Sequence, residues 1–159
     1  MAEPLTTNAA SVYEKFIKLN VKEMGRSLKT GIRKGLIYIR NKARSNFRTL
    51  FPSGAKANPK YNDRLIDGIR ATKVKDKGGV MEGYVLITSN RRTGSGSYRL
   101  VFLEGGTVQR YTKKGSNRGS IQASRFFEQT INTESENYNA VMVSEIDKAV
   151  DKINKANLK

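Results

Sequence analysis

The sequence predicts an α+β fold: a small antiparallel β-sheet flanked by a long N-terminal helical region and a C-terminal helix. Three observations predict it. Apolar residues recur at helical spacing over most of 11–49. Two runs rich in β-formers, 80–88 and 97–104, follow in the middle of the chain. A second helical pattern occupies the C-terminal part, from Phe126 to Ile153. The order helix, strands, helix has no βαβ rhythm, so helices packed on one side of an antiparallel sheet are expected.

The elements follow in order. Residues 1–10 read as a flexible arm, and 11–159 as one α+β domain. Ser11 and Glu14 have capping-box spacing, in which each side chain satisfies the other's backbone N–H. Tyr13, Phe16, Ile17, Val21, Met24, Leu28, Ile32, Leu36, Ile39, Ala43 and Phe47 then form one apolar stripe. Gly25, Gly31 and Gly35 weaken the helix by about 1 kcal/mol each against alanine. Two helices or one bent helix are therefore expected, broken near Gly25–Gly35. Pro52 and Ser53-Gly54 end the region.

Residues 53–62 read as a loop from their Gly, Pro and Asn content. Leu65, Ile66 and Ile69 lead into a strand by Ala71–Val74, and Lys77-Gly78-Gly79 reads as a turn. Residues 80–88 and 97–104 are expected to pair antiparallel across a basic loop at 89–97. A second basic loop follows at 108–120. Phe126, Phe127 and Ile131 open a helical segment, and Thr133 with Glu136 have the spacing of a second capping box, where a helix restarts. Tyr138, Met142, Ile146, Ala149, Val150 and Ile153 mark one face of that last helix.

Composition excludes much chemistry. The 159 residues contain neither cysteine nor histidine. Disulfides, thiolate nucleophiles, His-based proton transfer and Cys- or His-based metal sites are absent from the repertoire. No apolar run reaches the roughly 18 residues a membrane span requires. The N-terminus MAEPLTTNAAS has no basic segment followed by an apolar one, so no secretion signal is expected and the cytoplasm is the expected site of synthesis.

The formal net charge is +16, a field that attracts polyanions or acidic protein faces. Its distribution is uneven. Between Glu23 and Asp63 there is no acid, while Arg26, Lys29, Arg33, Lys34, Arg40, Lys42, Arg44, Arg48, Lys56 and Lys60 are basic. Between Glu104 and Glu128 there is again none, with Arg110, Lys113, Lys114, Arg118 and Arg125 in the gap. Arg26, Lys29, Arg33, Arg40, Arg44 and Arg48 share roughly the helix face opposite the apolar stripe. A solvated helix face has the same pattern. Arg91, Arg92, Arg110, Lys113, Lys114 and Arg118, in the two basic loops, are candidates for contact with phosphate backbone or an acidic partner.

Specific phosphate-binding motifs fail. Gly94-Ser95-Gly96 lacks the third glycine of a dinucleotide fingerprint and no βαβ unit follows. Lys113-Lys114-Gly115-Ser116 has phosphate-loop ingredients in the wrong order. The helical aromatics Phe16, Phe47, Phe126 and Phe127 read as core. Tyr98 and Tyr111 flank basic loops, a weak signal of single-strand binding.

The richest stretch runs from Tyr98 to Ile131. Glu104 ends an apolar run and is followed at once by Gly105, Gly106 and Thr107. After the loop comes RGSIQASRFF, with Arg118, Gly119, Ile121, Ala123, Phe126 and Phe127. Taken alone, Gly-Gly-Thr is a turn in which glycine permits positive φ and threonine bonds the backbone. The ordered pair of blocks resembles a family of small tail-completion and neck proteins of tailed bacteriophages. In that family an apolar-Glu-x-Gly-Thr turn precedes, after a variable loop, an Arg-Gly-x-Ile-x-Ala-x-x-Phe block. The resemblance covers roughly residues 20–153 and is strongest at Phe102–Thr107 and Arg118–Phe127. Leu65, Gly68 and Ile69 are similar to the family's entry to its first strand, and Gly105 replaces the usual aromatic between Glu and Gly.

The resemblance implies structural work: a head-to-tail homo-oligomeric ring, on the order of six or twelve copies under closed symmetry. It implies portal-connector and tail proteins as neighbours, non-specific contact with packaged DNA, and a place in the virion neck after assembly in the host cytoplasm. The motif residues Phe102, Glu104, Gly105, Gly106, Thr107, Arg118, Gly119, Ile121, Ala123, Phe126 and Phe127 would then build the motif turn or meet a neighbouring subunit. No enzyme activity, cofactor, metal or membrane is expected. Two other classes compete. One is a stand-alone basic DNA- or RNA-binding accessory protein. The other is a metal-dependent nuclease built on Asp63, Asp67, Glu82 or Glu104, which do not form a recognisable ligand set.

Overall fold

A computed structural model describes residues 11–15, 19–56, 64–87 and 98–157. The expected arm at 1–10, Phe16, Ile17, Asp63 and the basic loop carrying Arg91 and Arg92 lie outside the described residues, as does most of the loop at 53–62.

Two long helices carry the chain. Residues 11–15 are helical, and α1 then runs unbroken over Val21–Leu50. The break expected near Gly25–Gly35 lies instead just before Val21. Asn20 and Glu23 form a reciprocal capping box there: the Glu23 N–H donates to Asn20 Oδ1 at 3.0 Å and the Asn20 N–H to Glu23 Oε2 at 3.3 Å. All three glycines are therefore interior to one helix. Pro52 opens a 3-10 turn, Pro52–Ala55, and α1 ends where expected. A short helix, α2, spans Arg99–Gly105, and α3 runs over Phe126–Asn157.

The strands are short: β1 Ile69–Ala71, β2 Lys75–Lys77, β3 Val80–Glu82, β4 Val85–Ile87, β5 Arg110–Tyr111 and β6 Asn117–Gly119. They form three two-stranded sheets, β1 with β4, β2 with β3 and β5 with β6. The α+β class holds, with the strand content divided among ribbons. β2 and β3 pair antiparallel, with Lys77 opposite Val80 across Gly78-Gly79. Both glycines have positive φ, +62° and +88°, as a two-residue hairpin turn requires. Lys77 Nζ lies 2.7 Å from Glu82 Oε2 on the partner strand.

Two further expectations are corrected. Residues 80–88 and 97–104 do not pair. The first run divides at Gly83 into β3 and β4, and the second becomes α2. At Gly83 a Cβ would fall 2.5 Å from Leu36 Cδ1, so the backbone itself packs on α1 there. In α2, Leu100 is fully buried and Leu103 half-buried one turn later, while Val101 and Phe102 face outward. Burial at i and i+3 fits a helix. The local β-propensity yields to that packing. Likewise α3 does not restart at Thr133. Its hydroxyl donates backwards to the Gln129 carbonyl at 2.9 Å, as a threonine inside a helix does.

The chain divides into two compact units. One comprises Met1–Ile39, Ala71–Tyr84 and Glu134–Lys159. Its core includes Val12, Leu19, Ile146 and Val150, with Met24, Leu28, Met142, Val143 and Ile153 packed around them. Tyr38 donates to Glu134 Oε2 at 2.6 Å, and Lys15 pairs with Asp147 at 2.9 Å and Asp151 at 3.2 Å. The other comprises Arg40–Arg70 and Val85–Thr133. Its core is Ala43, Phe47, Ile66, Ile69, Leu100 and Phe126. The rings of Phe47 and Phe126 meet edge-on at 5.3 Å between centroids. Of the expected apolar stripe, Leu36, Ile39, Ala43 and Phe47 are buried, whereas Tyr13, ahead of α1, and Val21 are exposed.

Candidate functional site: a capped turn and two basic faces

The Glu104 turn is a helix cap. α3 begins at Phe126, and its first N–H groups have no intrahelical acceptor. The Glu104 carboxylate supplies one from the end of α2. The Phe127 N–H donates to Oε2 at 2.9 Å and the Glu128 N–H to Oε1 at 3.0 Å. A carboxylate at a helix N-terminus also meets the favourable end of the dipole. The surrounding backbone closes the same joint. The Ser124 N–H and hydroxyl donate to the Leu103 carbonyl at 2.9 and 2.6 Å, and the Arg125 N–H reaches the Glu104 carbonyl at 3.1 Å. The Thr107 N–H donates to the Ile121 carbonyl at 2.8 Å, and the Ile121 N–H returns to Thr107 Oγ1 at 2.9 Å.

The two glycines differ. Gly106 has φ +73°, and a Cβ there would lie 2.9 Å from both the Ala123 nitrogen and the Ile121 oxygen. Only glycine fits without moving backbone. At Gly105 nothing lies within 4 Å of the place a Cβ would take, so the position that departs from the family pattern has open space. Gly106→Ala is expected to lose about 2 kcal/mol of stability, and Gly105→Ala to lose none or gain a few tenths. Urea denaturation of the pair checks this; equal losses would refute the assignment.

Of the motif residues, Phe126 is buried, and Thr107, Gly119, Ile121 and Phe127 are half-buried. Phe102, Gly105, Ala123 and Arg118 are exposed. Phe102 lies in edge contact with Tyr98, with 6.1 Å between centroids.

The loop at 108–120 is an irregular antiparallel hairpin, β5–β6, with Arg110 opposite Gly119. Its tip is closed by the Thr112 N–H to the Ser116 carbonyl at 2.8 Å, with Gly115 at φ +81°. Tyr111, Thr112, Lys113, Lys114, Ser116 and Arg118 line an open depression on it. Arg110, Lys113, Lys114 and Arg118 are thus gathered on one exposed ribbon, with no acid among the residues from 105 to 127.

The basic face of α1 is partly structural. Arg44 is half-buried: its Nε donates to the Ile69 carbonyl at 3.1 Å and its Nη2 lies 4.0 Å from Asp67 Oδ1. Partial burial, and then the charge of Arg40, hold its guanidinium below the ordinary value. Asp67 is gripped by Arg64 through two bonds of 2.9 and 3.1 Å, and donating to this carboxylate raises the Arg64 guanidinium in turn. Arg70 Nε donates to the Asp67 carbonyl at 3.0 Å. Charge counting along the helix misses Arg64 and Arg70. Their spacing around Asp67, three residues on either side, is the signal that could have found them.

The acids weighed as nuclease ligands have separate partners: Glu104 caps α3, Glu82 meets Lys77, and Asp67 meets arginines. Among the described residues no group of three or more Asp or Glu is placed to hold a metal ion, and no helix is long and apolar enough to cross a membrane. The arrangement thus defines an α+β protein with a capped turn and exposed basic surfaces. No protein-family model, curated protein or solved structure matches the chain.

Proposed function

We propose that this protein is a structural component of a tailed-phage virion, a ring-forming neck or tail-completion protein that joins the portal-connector to the tail. One observation carries the reading. The two sequence blocks that carry the resemblance, Phe102–Thr107 and Arg118–Phe127, are separated by the hairpin yet joined by the Glu104 carboxylate and the Thr107–Ile121 pair. The motif is therefore one physical device, a rigid joint from which the β5–β6 hairpin projects. Head-to-tail repetition about a closed axis would set those hairpins in a ring, where Arg110, Lys113, Lys114 and Arg118 face packaged DNA or acidic neighbours. Assembly takes place in the host cytoplasm, and the work is geometric, with no catalytic step.

The test is the absolute mass of nuclease-treated protein by light scattering on a sizing column at moderate salt. A discrete closed oligomer, about six or twelve subunits, supports the ring. A protein that stays monomeric and is missing from purified virions sinks it. The second reading, a stand-alone basic nucleic-acid binder, rests on the +16 charge and becomes the better one in that case.

A further inference from the structure

We infer that Arg44, Arg64 and Arg70, grouped around Asp67, form together with Arg40 and Arg48 of the same helix face a binding site for the phosphate backbone of a nucleic-acid duplex. Such a site needs neither the ring nor the hairpin.

Arg44 and Arg64 reach the Asp67 carboxylate and Arg70 its backbone carbonyl, while Arg40 and Arg48 stand one helical turn to either side of Arg44, all within one compact unit. Arg44 ties the cluster together, since Arg40, Arg48 and Arg64 each act on it electrostatically as like charges. Arg64 and Arg44 share Asp67, and Arg70 is fixed by the same residue's carbonyl. Asp67 neutralises only part of this charge. Among the described residues, Arg40 bonds only the adjacent Asn41, and the exposed Arg48 has no side-chain hydrogen bond or ion pair.

This grouping opposes stability. Arg40, Arg44 and Arg48 follow at i, i+4 and i+8 on one helix face, where like charges repel and an acid would help. A polyanion relieves that repulsion. The spacing also suits one: four residues of helix advance about 6 Å, while each strand of a duplex presents a phosphate about every 3.4 Å of axis. Arginine nitrogens already held by backbone carbonyls, as in Arg44 and Arg70, leave planar donor faces oriented in advance for phosphate oxygens. The two aromatic residues of α1 are otherwise engaged, Phe47 in the core and Tyr38 with Glu134, so the helix offers no ring for stacking unpaired bases. Contact to phosphates without base reading is what the chemistry allows.

The experiment is fluorescence anisotropy of the full chain with a labelled duplex of about two helical turns, across a salt series. Wild type is expected to bind with a steep salt dependence. Arg40→Gln/Arg48→Gln, which removes two charges that no acid among the described residues neutralises, should weaken binding about tenfold or more and lower the log–log salt slope by about 2. Arg40→Lys/Arg48→Lys should keep the slope. Lys152→Gln/Lys155→Gln, which removes the same charge from the last turns of α3, should change affinity less than about twofold. Asp67→Asn should bind the duplex more tightly while lowering thermal stability, a pairing that a purely structural cluster would not produce. No duplex binding by wild type overturns the proposal. So does an equal loss in the two Gln doubles, which would mean diffuse attraction. Displacement of the duplex by polyglutamate at equal charge concentration also overturns it, in favour of an acidic protein partner.

Discussion

Gly31→Val is expected to destabilise the protein by about 3 kcal/mol, although valine is the better helix former. Gly31 lies in the middle of α1 and is buried. A Cβ there would fall 2.3 Å from Ile146 Cγ1 and 2.8 Å from the Met142 carbonyl oxygen on α3. The isoleucine can rotate; the carbonyl belongs to a helix backbone and cannot. Either the helices separate or the side chain leaves its rotamer, and overpacking of this kind costs about 1–3 kcal/mol, occasionally more. For a chain of this length the melting temperature should fall by about 6–12 °C. Gly25→Ala is the matched control. Its Cβ would meet only Met81 Cε at 3.5 Å, an ordinary contact, so the propensity gain of up to about 1 kcal/mol should appear as stabilisation. Thermal unfolding of both variants decides the matter. A stable Gly31→Val would mean that α1 and α3 do not approach as closely here.

Glu104→Ala is expected to cost about 2.5 kcal/mol. The substitution leaves the N–H groups of Phe127 and Glu128 without their carboxylate and removes a negative charge from the α3 N-terminus. Loss of a cap costs about 0.5–2 kcal/mol, and charge-assisted bonds lie at the upper end of the hydrogen-bond range. Glu104→Gln keeps one acceptor and should lose about 1 kcal/mol. Amide hydrogen exchange gives the site-specific check, because the Phe127 and Glu128 amides should lose protection before those of the helix centre. Unchanged protection at both amides would remove Glu104 from the cap.

The candidate site was legible in the sequence to the extent that its parts are local. Glu104, Gly106 and Thr107 stand together, and their turn chemistry follows from residue type. That Glu104 caps a helix starting more than twenty residues later is not local information. A capping box is recognisable when both partners lie within one turn, as in Asn20 and Glu23, and a cap supplied from another element has no such spacing. The arginine cluster divides in the same way. Arg40, Arg44 and Arg48 show in the helical period, whereas the approach of Arg44 to Ile69 and Asp67 depends on how the chain returns after Pro52.

By itself the sequence determined the α+β class, helical regions towards both ends of the chain, the stop at Pro52, the Gly78-Gly79 hairpin turn and the basic charge. Each of these follows from short-range period, backbone dihedral preference or charge count, quantities that a chain carries wherever it folds. Tertiary structure decided the rest. Leu100 and Leu103 turned a β-rich run into α2 because burial one turn apart outweighs propensity. Gly31 and Gly35 remained inside α1, where the missing side chains let Ile146 and Tyr138 seat against the backbone, despite the roughly 1 kcal/mol each glycine costs its helix. Glu104 became a cap because two unpaired N–H groups lay within its reach, which only the folded chain could bring there.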